Sequence, residues 1–235
     1  MKSTHAEIAA RFDADVARFS NLETGQVTTL DAPLAMELIT QAAITTTPEI
    51  RAVLDIGCGA GNNTLKLLRT YGRAFDCHLL DLSANMLAAA RERLEAEKAG
   101  AIVTLHTAVQ DAVLGENRYD VVIAAASLHH LRDDAEWETA FRKIFRALRP
   151  GGSFWITDLV THESPALHAK MWSRYGDYLT GVGGAEFAEK VFAYIDKEDT
   201  PRPVTYQLDL MRRVGFRTTD ILHKNSCFAA FGAVK

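Results

Sequence analysis

The stretch VLDIGCGAGNNT, Val53 to Thr64, decides the fold. A short apolar run carries an acidic residue, Asp55, and then passes into glycines at alternate positions, Gly57, Gly59 and Gly61. Glycine turns of this kind lead from a strand into a helix and let a ligand approach the backbone closely. The dinucleotide fingerprint is G-x-G-x-x-G, with a pyrophosphate at the helix N-terminus. Here the spacing is G-x-G-x-G, and Asn62 stands where that fingerprint has its third glycine. A carboxylate two residues before the turn would repel a pyrophosphate. It suits a ligand that carries an ammonium group. Cys58, within the loop, reads as a small wall residue rather than a nucleophile.

Outward from the loop the chain alternates strands and helices. After IRAVLDIG come the helix NNTLKLLRTYG, the strand FDCHLLDL and the helix SANMLAAARERLEAEKAG, capped by Ser83 and closed by Gly100. The strands AIVTLHTAV and YDVVIAAASL follow, then the amphipathic helix DDAEWETAFRKIFRALRPGG and the strand SFWITDLV. This order implies a doubly wound α/β sheet of parallel strands. The final helix VTYQLDLMRRVGF precedes two strands with a tight turn near Lys224-Asn225, which brings one antiparallel strand into the sheet. Ahead of the sheet, HAEIAARFDADVARF places Ile8, Phe12, Val16 and Phe19 on one helical face. A second helix follows, with Asp31 expected as its N-cap and Pro33 in its first turn.

The 235 residues fit one α/β domain, with residues 1–45 as part of a helical lid and 162–203 as a helical cap insertion. That insertion is rich in aromatics and too long for an ordinary connection. A formal net charge of −4, without clustered Lys and Arg, argues against an extensive nucleic-acid footprint. There is no apolar run of membrane-spanning length and no signal-type apolar segment at the N-terminus. Three scattered cysteines have no metal or redox spacing. The expectation is a cytoplasmic protein without metal or disulfides, with a homodimer through the aromatic insertion left open.

With these motifs in register, VLDIGCGAGNNT, LLDLSANML, YDVVIAAASLHHL, IFRALRPGGSFWITD and LMRRVGF, the chain resembles the class I S-adenosylmethionine-dependent methyltransferases from Arg51 to Lys235. The resemblance implies a Rossmann-like seven-stranded sheet of order 3-2-1-4-5-7-6, the last strand antiparallel, and S-adenosyl-L-methionine as cofactor. It places Asp55 and the loop residues Gly57, Cys58, Gly59 and Gly61 against the amino-acid part of the cofactor. Asp81, ending the second strand, is expected to accept both ribose hydroxyls. Leu82 and Met86 offer apolar surface to the adenine. After the third strand many family members carry Gly-Asp, whose acid binds the adenine amino group. Here Thr107-Ala108 stands there, so the adenine edge is left to the backbone of Ala108 and Val109, with Asp111 as a substitute acid or a solvated turn residue.

Ligands in open α/β sheets lie beyond the carboxyl ends of the strands. Ala125 and Ala126 are small where the methyl group should point, unlike the Asn/Asp-Pro-Pro-aromatic motif of amino-group and nucleic-acid methyltransferases. His129, His130 and Asp158 are the candidates for proton transfer or acceptor contact. Arg18, Asn21, Arg174, Tyr175 and Tyr178 are candidates for touching a small-molecule acceptor, and packing of the cap is the alternative role for the aromatics. Methyl transfer by direct displacement is the expected activity. A rival is suggested by similarity to carboxy-S-adenosylmethionine synthases, which modify the cofactor itself. Their carboxylate-holding arginine has no counterpart here, Lys190 being the nearest cation. A non-catalytic cofactor-binding protein is another rival, and NAD-dependent oxidoreduction is disfavoured by the glycine spacing.

Overall fold

The computed structural model describes residues 2–14, 16 and 26–235. In chain order the elements are α1 (His5–Ala14), α2 (Ala32–Thr46), β1 (Ala52–Ile56), α3 (Asn62–Tyr71), β2 (Asp76–Asp81), α4 (Ala84–Ala96) and β3 (Ile102–His106). They continue with β4 (Tyr119–Ala125), a 3₁₀ turn (Leu128–His130), α5 (Asp134–Ala147), β5 (Leu148–Leu159), α6 (Pro165–Gly183), α7 (Ala185–Glu198), α8 (Val204–Val214), β6 (Thr218–Asn225) and β7 (Phe228–Val234). The sheet has seven strands in the order β3-β2-β1-β4-β5-β7-β6. Strands β1 to β5 pair in parallel, and β7 runs antiparallel to both β5 and β6.

Side chains alternate across the sheet, and each face finds its own helices. Leu54, Val122, Phe154 and Ile156 pack against α5 and α8 through Trp137, Phe141, Leu208 and Met211. Val53, Leu79, Val121, Ile123 and Trp155 pack against α2, α3 and α4 through Ile39, Leu67 and Leu94. β4 is therefore apolar on both faces, as its sequence requires. A smaller third cluster holds Tyr175, Leu179, Ala188 and Ile195 of the insertion against Leu159 and Phe228 of the sheet end.

The structure refines three sequence expectations. Residues 32–46, whose first part falls in the expected lid, form α2, and Ala35, Ile39 and Ala43 bury themselves in the core of one sheet face. Asp31 occupies the N-cap position of α2 with φ 55° and makes no side-chain cap. Its carboxylate instead accepts hydrogen bonds from Asn225 Nδ2 and His223 Nε2, both at 2.8 Å. The distant β6 outcompetes the local cap because it supplies two donors at once. The last hairpin turns two residues later than read, at Ser226-Cys227, with Ser226 at φ 50°. No described helix is long and apolar enough to cross a membrane.

Candidate active site

The loop after β1 is held open by its backbone. Gly57, Gly59 and Gly61 all sit at positive φ (64°, 50° and 79°), where a side chain would be strained. The amides of Gly57 and Cys58 both donate to the Leu80 carbonyl, at 2.7 and 3.0 Å, which ties the loop to the end of β2. Gly59 N donates to Asp81 Oδ2 at 2.8 Å, while Ser83 N donates to Asp81 Oδ1 at 2.9 Å. Ser83 itself caps α4 by accepting from Met86 N, so Asp81 has no capping duty. The Asp81 carboxylate keeps lone pairs free on both oxygens and lines the cavity. Burial raises its pKa, against the backbone amides that favour the charged form.

That cavity, about 550 Å³, lies over the carboxyl ends of β1, β2, β4 and β5 and beneath α1, α6 and α7. Gly57, Cys58, Gly59, Asp81, Leu82, Met86, Ala108, Val109 and Ala125 all line it, as do His129, His130, Asp158 and Tyr175. Its far wall is apolar, built from Phe12, Met36, Phe187, Val191 and Phe228.

Several expected contacts do not reach it. Asp55 and Gly61 stand behind the wall, and Asp111 is exposed outside it. Arg174 is exposed on the outer face of α6, and Tyr178 is turned aside by the hydrogen bond from its hydroxyl to Val27 O at 2.9 Å. Tyr175 lines the cavity with its ring, but its hydroxyl donates to Thr28 O at 2.7 Å. Arg18 and Asn21 lie outside the described residues. Lys190 reaches the lining while paired to Glu186 at 2.7 Å.

Asp55 is bonded within the fold. Its Oδ2 accepts from Thr64 Oγ1 at 2.6 Å, which fastens the end of β1 to the first turn of α3. Burial pushes its carboxyl up to about 6, and the nearby Asp81 adds to the rise. A carboxyl with a higher pKa folded than unfolded stabilises the fold in acid, and that stabilisation is lost as pH climbs from 3.8 to about 6. Asp55→Asn keeps an acceptor for Thr64 and removes the titration. Its stability relative to wild type, by urea unfolding, should therefore rise by about 3 kcal/mol between about pH 4 and about pH 7. Parallel curves for the two proteins would contradict the buried titration.

The polar corner of the cavity joins β4 to β5. Asp158, at the end of β5, accepts from His129 N at 3.1 Å, from Leu159 N at 2.8 Å and from His129 Nδ1. Asp199, just past α7, brings its Oδ1 to 3.1 Å from His130 Nδ1 and 3.7 Å from His129 Nε2. Sequence reading missed Asp199, since KEDT looks like a solvated charge run, yet it is 5% exposed. Burial alone would lower the His129 pKa, but the carboxylates of Asp158 and Asp199 overcome it and hold the ring at about 9. Burial and the neighbouring His129 cation push His130 the other way. The two imidazole rings stand side by side, their centres 4.3 Å apart. Arg11, also missed, lines the cavity over Tyr194 and is anchored to the buried Glu198 at 2.9 Å.

Comparison with known proteins is consistent with this geometry. A methyltransferase-domain family model matches residues 53–152. The chain is 26% identical over 165 residues to 2-phytyl-1,4-naphtoquinone methyltransferase of Nostoc punctiforme, covering 69% of this chain and 70% of that protein. It is 35% identical over 107 residues to phosphoethanolamine N-methyltransferase 2 of Caenorhabditis elegans, covering 46% of this chain but only 23% of that protein. In structure it resembles the 1,6-didemethyltoxoflavin-N1-methyltransferase of Burkholderia thailandensis, solved with 1,6-didemethyltoxoflavin and S-adenosylhomocysteine. The TM-score is 0.64 at 18% identity, over 100% of this chain and 92% of that one, a likeness of fold. Residues 53–152 thus match the methyltransferase-domain family, and the chain has the seven-stranded fold of the class I S-adenosylmethionine-dependent methyltransferases.

Proposed function

We propose that the chain transfers a methyl group from S-adenosylmethionine to a small organic acceptor with a largely apolar body. One observation carries this reading: the glycine loop, Asp81 and the His129–His130–Asp158 corner all open onto a single cavity. The residues fit the donor. Gly57 and Gly59 leave room for its amino-acid end, the free lone pairs of Asp81 suit the ribose hydroxyls, and buried Met86 beside Leu82 gives the adenine an apolar face. When bound, that cofactor supplies a methyl group already activated on a sulfonium.

The chain's own contribution is alignment and exclusion of water. Orientation of two bound reactants lowers a displacement barrier by roughly 7–11 kcal/mol in favourable cases. Phe12, Phe187 and Phe228 line the cavity and keep solvent from it. The polar groups at the ends of β4 and β5 face the acceptor side and would orient its nucleophilic oxygen or nitrogen. The expected setting is the cytoplasm, in keeping with three free, buried cysteines.

Calorimetry with S-adenosylmethionine and S-adenosylhomocysteine tests the premise, and a panel of phenolic, quinol and amine acceptors scored by S-adenosylhomocysteine release tests the reaction. Saturable binding with acceptor-dependent release is expected. Absence of binding by either ligand at millimolar concentration would sink the reading. Mass spectrometry of the ligand carried by the purified protein provides a second check, since a carboxylated sulfonium would mark cofactor modification instead.

A further inference from the structure

The geometry points to a divalent metal site built from His129 Nε2, His130 Nδ1 and Asp199 Oδ1, open to the cavity and selective for a zinc-class cation. The three ligand atoms lie within 4.8 Å of one another. Ligand atoms on a tetrahedral ion with bonds of ~2.1 Å sit roughly 3.4 Å apart. The distances from Asp199 Oδ1 to the two histidine nitrogens, 3.1 and 3.7 Å, bracket that value.

A second observation is independent of spacing. Asp199 is 5% exposed, and its Oδ1 has no hydrogen-bond donor; His130 Nδ1, 3.1 Å away, is equally without a hydrogen-bond partner. Their 3.1 Å approach is an ion-pair contact that does not meet hydrogen-bond geometry. Buried polar atoms left in this state cost free energy unless something fills the gap between them. A cation would satisfy both together.

The surroundings are also those of a metal centre. Asp158 accepts from His129 Nδ1, which leaves the Nε2 lone pair directed at the site. Asp158 is itself fixed by the amides of His129 and Leu159. Two imidazoles and one carboxylate suit zinc, cobalt(II) or manganese(II), whereas magnesium and calcium prefer all-oxygen shells. All three ligands line the cavity, so at least one coordination position faces it. Binding of the ion stands on this geometry alone. Its use, to hold an acceptor oxygen of the phenolate or enolate class, rests on the methyltransferase reading above.

The test uses the full chain stripped with chelator and titrated with cobalt(II), read by its visible absorption, followed by displacement with zinc. One equivalent of cobalt with a tetrahedral-type spectrum, displaced by zinc, is expected. Asp199→Asn should weaken it by about a hundredfold, and Asp158→Asn, which only loosens the support of His129, by about tenfold. Circular dichroism of each variant separates lost ligation from lost folding, and His130→Gln serves if Asp199→Asn does not fold. No saturable spectrum at millimolar cobalt, or an affinity that Asp199→Asn and His130→Gln leave unchanged, overturns the site. S-adenosylmethionine binding measured in chelator reports separately on the methyltransferase reading, so the two can fail independently.

Discussion

Replacing Asp81 with alanine is expected to weaken S-adenosylmethionine binding by roughly a hundredfold or more, with little change in the cap. The carboxylate has two jobs that meet in one group. It fixes the glycine loop by accepting from Gly59 N, and it holds the entry to α4 by accepting from Ser83 N. Its remaining lone pairs are the ones that ribose hydroxyls would use. A hydrogen bond to a charged group contributes about 1.5–3 kcal/mol, so losing two such bonds accounts for about 3–6 kcal/mol. Asp81→Asn is the informative control. It retains oxygen and shape, and it can still satisfy Gly59 N, but it lacks the charge. An intermediate loss of about tenfold is expected for it. Calorimetry on both variants, beside adenosine as a fragment lacking the amino-acid end, locates the loss. If adenosine binding survives Asp81→Ala, the carboxylate does not serve the ribose and acts only through the loop.

What the sequence could tell about the site follows from how local each feature is. The loop and Asp81 each lie at a strand end in one segment, and alternation of strands with helices puts those ends on one rim. Their place was readable without the structure. Asp199 was not, because its meaning depends on burial. The segment DKEDT carries four charged residues and looks solvated, yet the end of α7 tucks Asp199 against the histidines. The same applies to the metal-ligand spacing. The three atoms come from two segments some seventy residues apart, and no local motif spans that distance.

Composition misleads where it cannot fix the direction of a side chain. The insertion is aromatic, which suggests a cap, but Tyr175 and Tyr178 stack nearly parallel (16°) and spend their hydroxyls on the carbonyls of Thr28 and Val27. Those hydroxyls seat the segment that enters α2, while the Tyr175 ring lines the cavity. Likewise α2, with Ala35, Ile39 and Ala43 on one face, carries the apolar stripe of a core helix, and its position before the first strand concealed this. Asp31 shows the limit of a local rule: the residue type is right for a cap, but two donors from β6 hold it elsewhere.

Gly57→Ala should weaken cofactor binding by roughly a hundredfold or more, and the reason couples the donor side to the acceptor side. A Cβ built at Gly57 would stand 2.4 Å from Ser127 Cβ, at a φ of 64° that side chains rarely adopt. The left-handed strain costs about 1–2 kcal/mol, and overpacking adds about 1–3 kcal/mol. Relief requires either the loop or Ser127 to move. Ser127 is not free to do so, since its Oγ donates to Ile56 O at 2.9 Å and it follows Ala126, itself at φ 51°. The loop must therefore shift, and its shift carries Gly59 away from Asp81. Ser127→Gly added to Gly57→Ala removes the steric part and leaves the strain, so roughly tenfold of the affinity should return in the double variant. Ser127→Gly alone, lacking only one hydrogen bond, should bind within a few-fold of wild type. Calorimetry on the three variants closes this cycle. Equal affinity in Gly57→Ala and the double variant would mean that backbone strain alone is at fault, and that the end of β4 does not buttress the loop holding the donor.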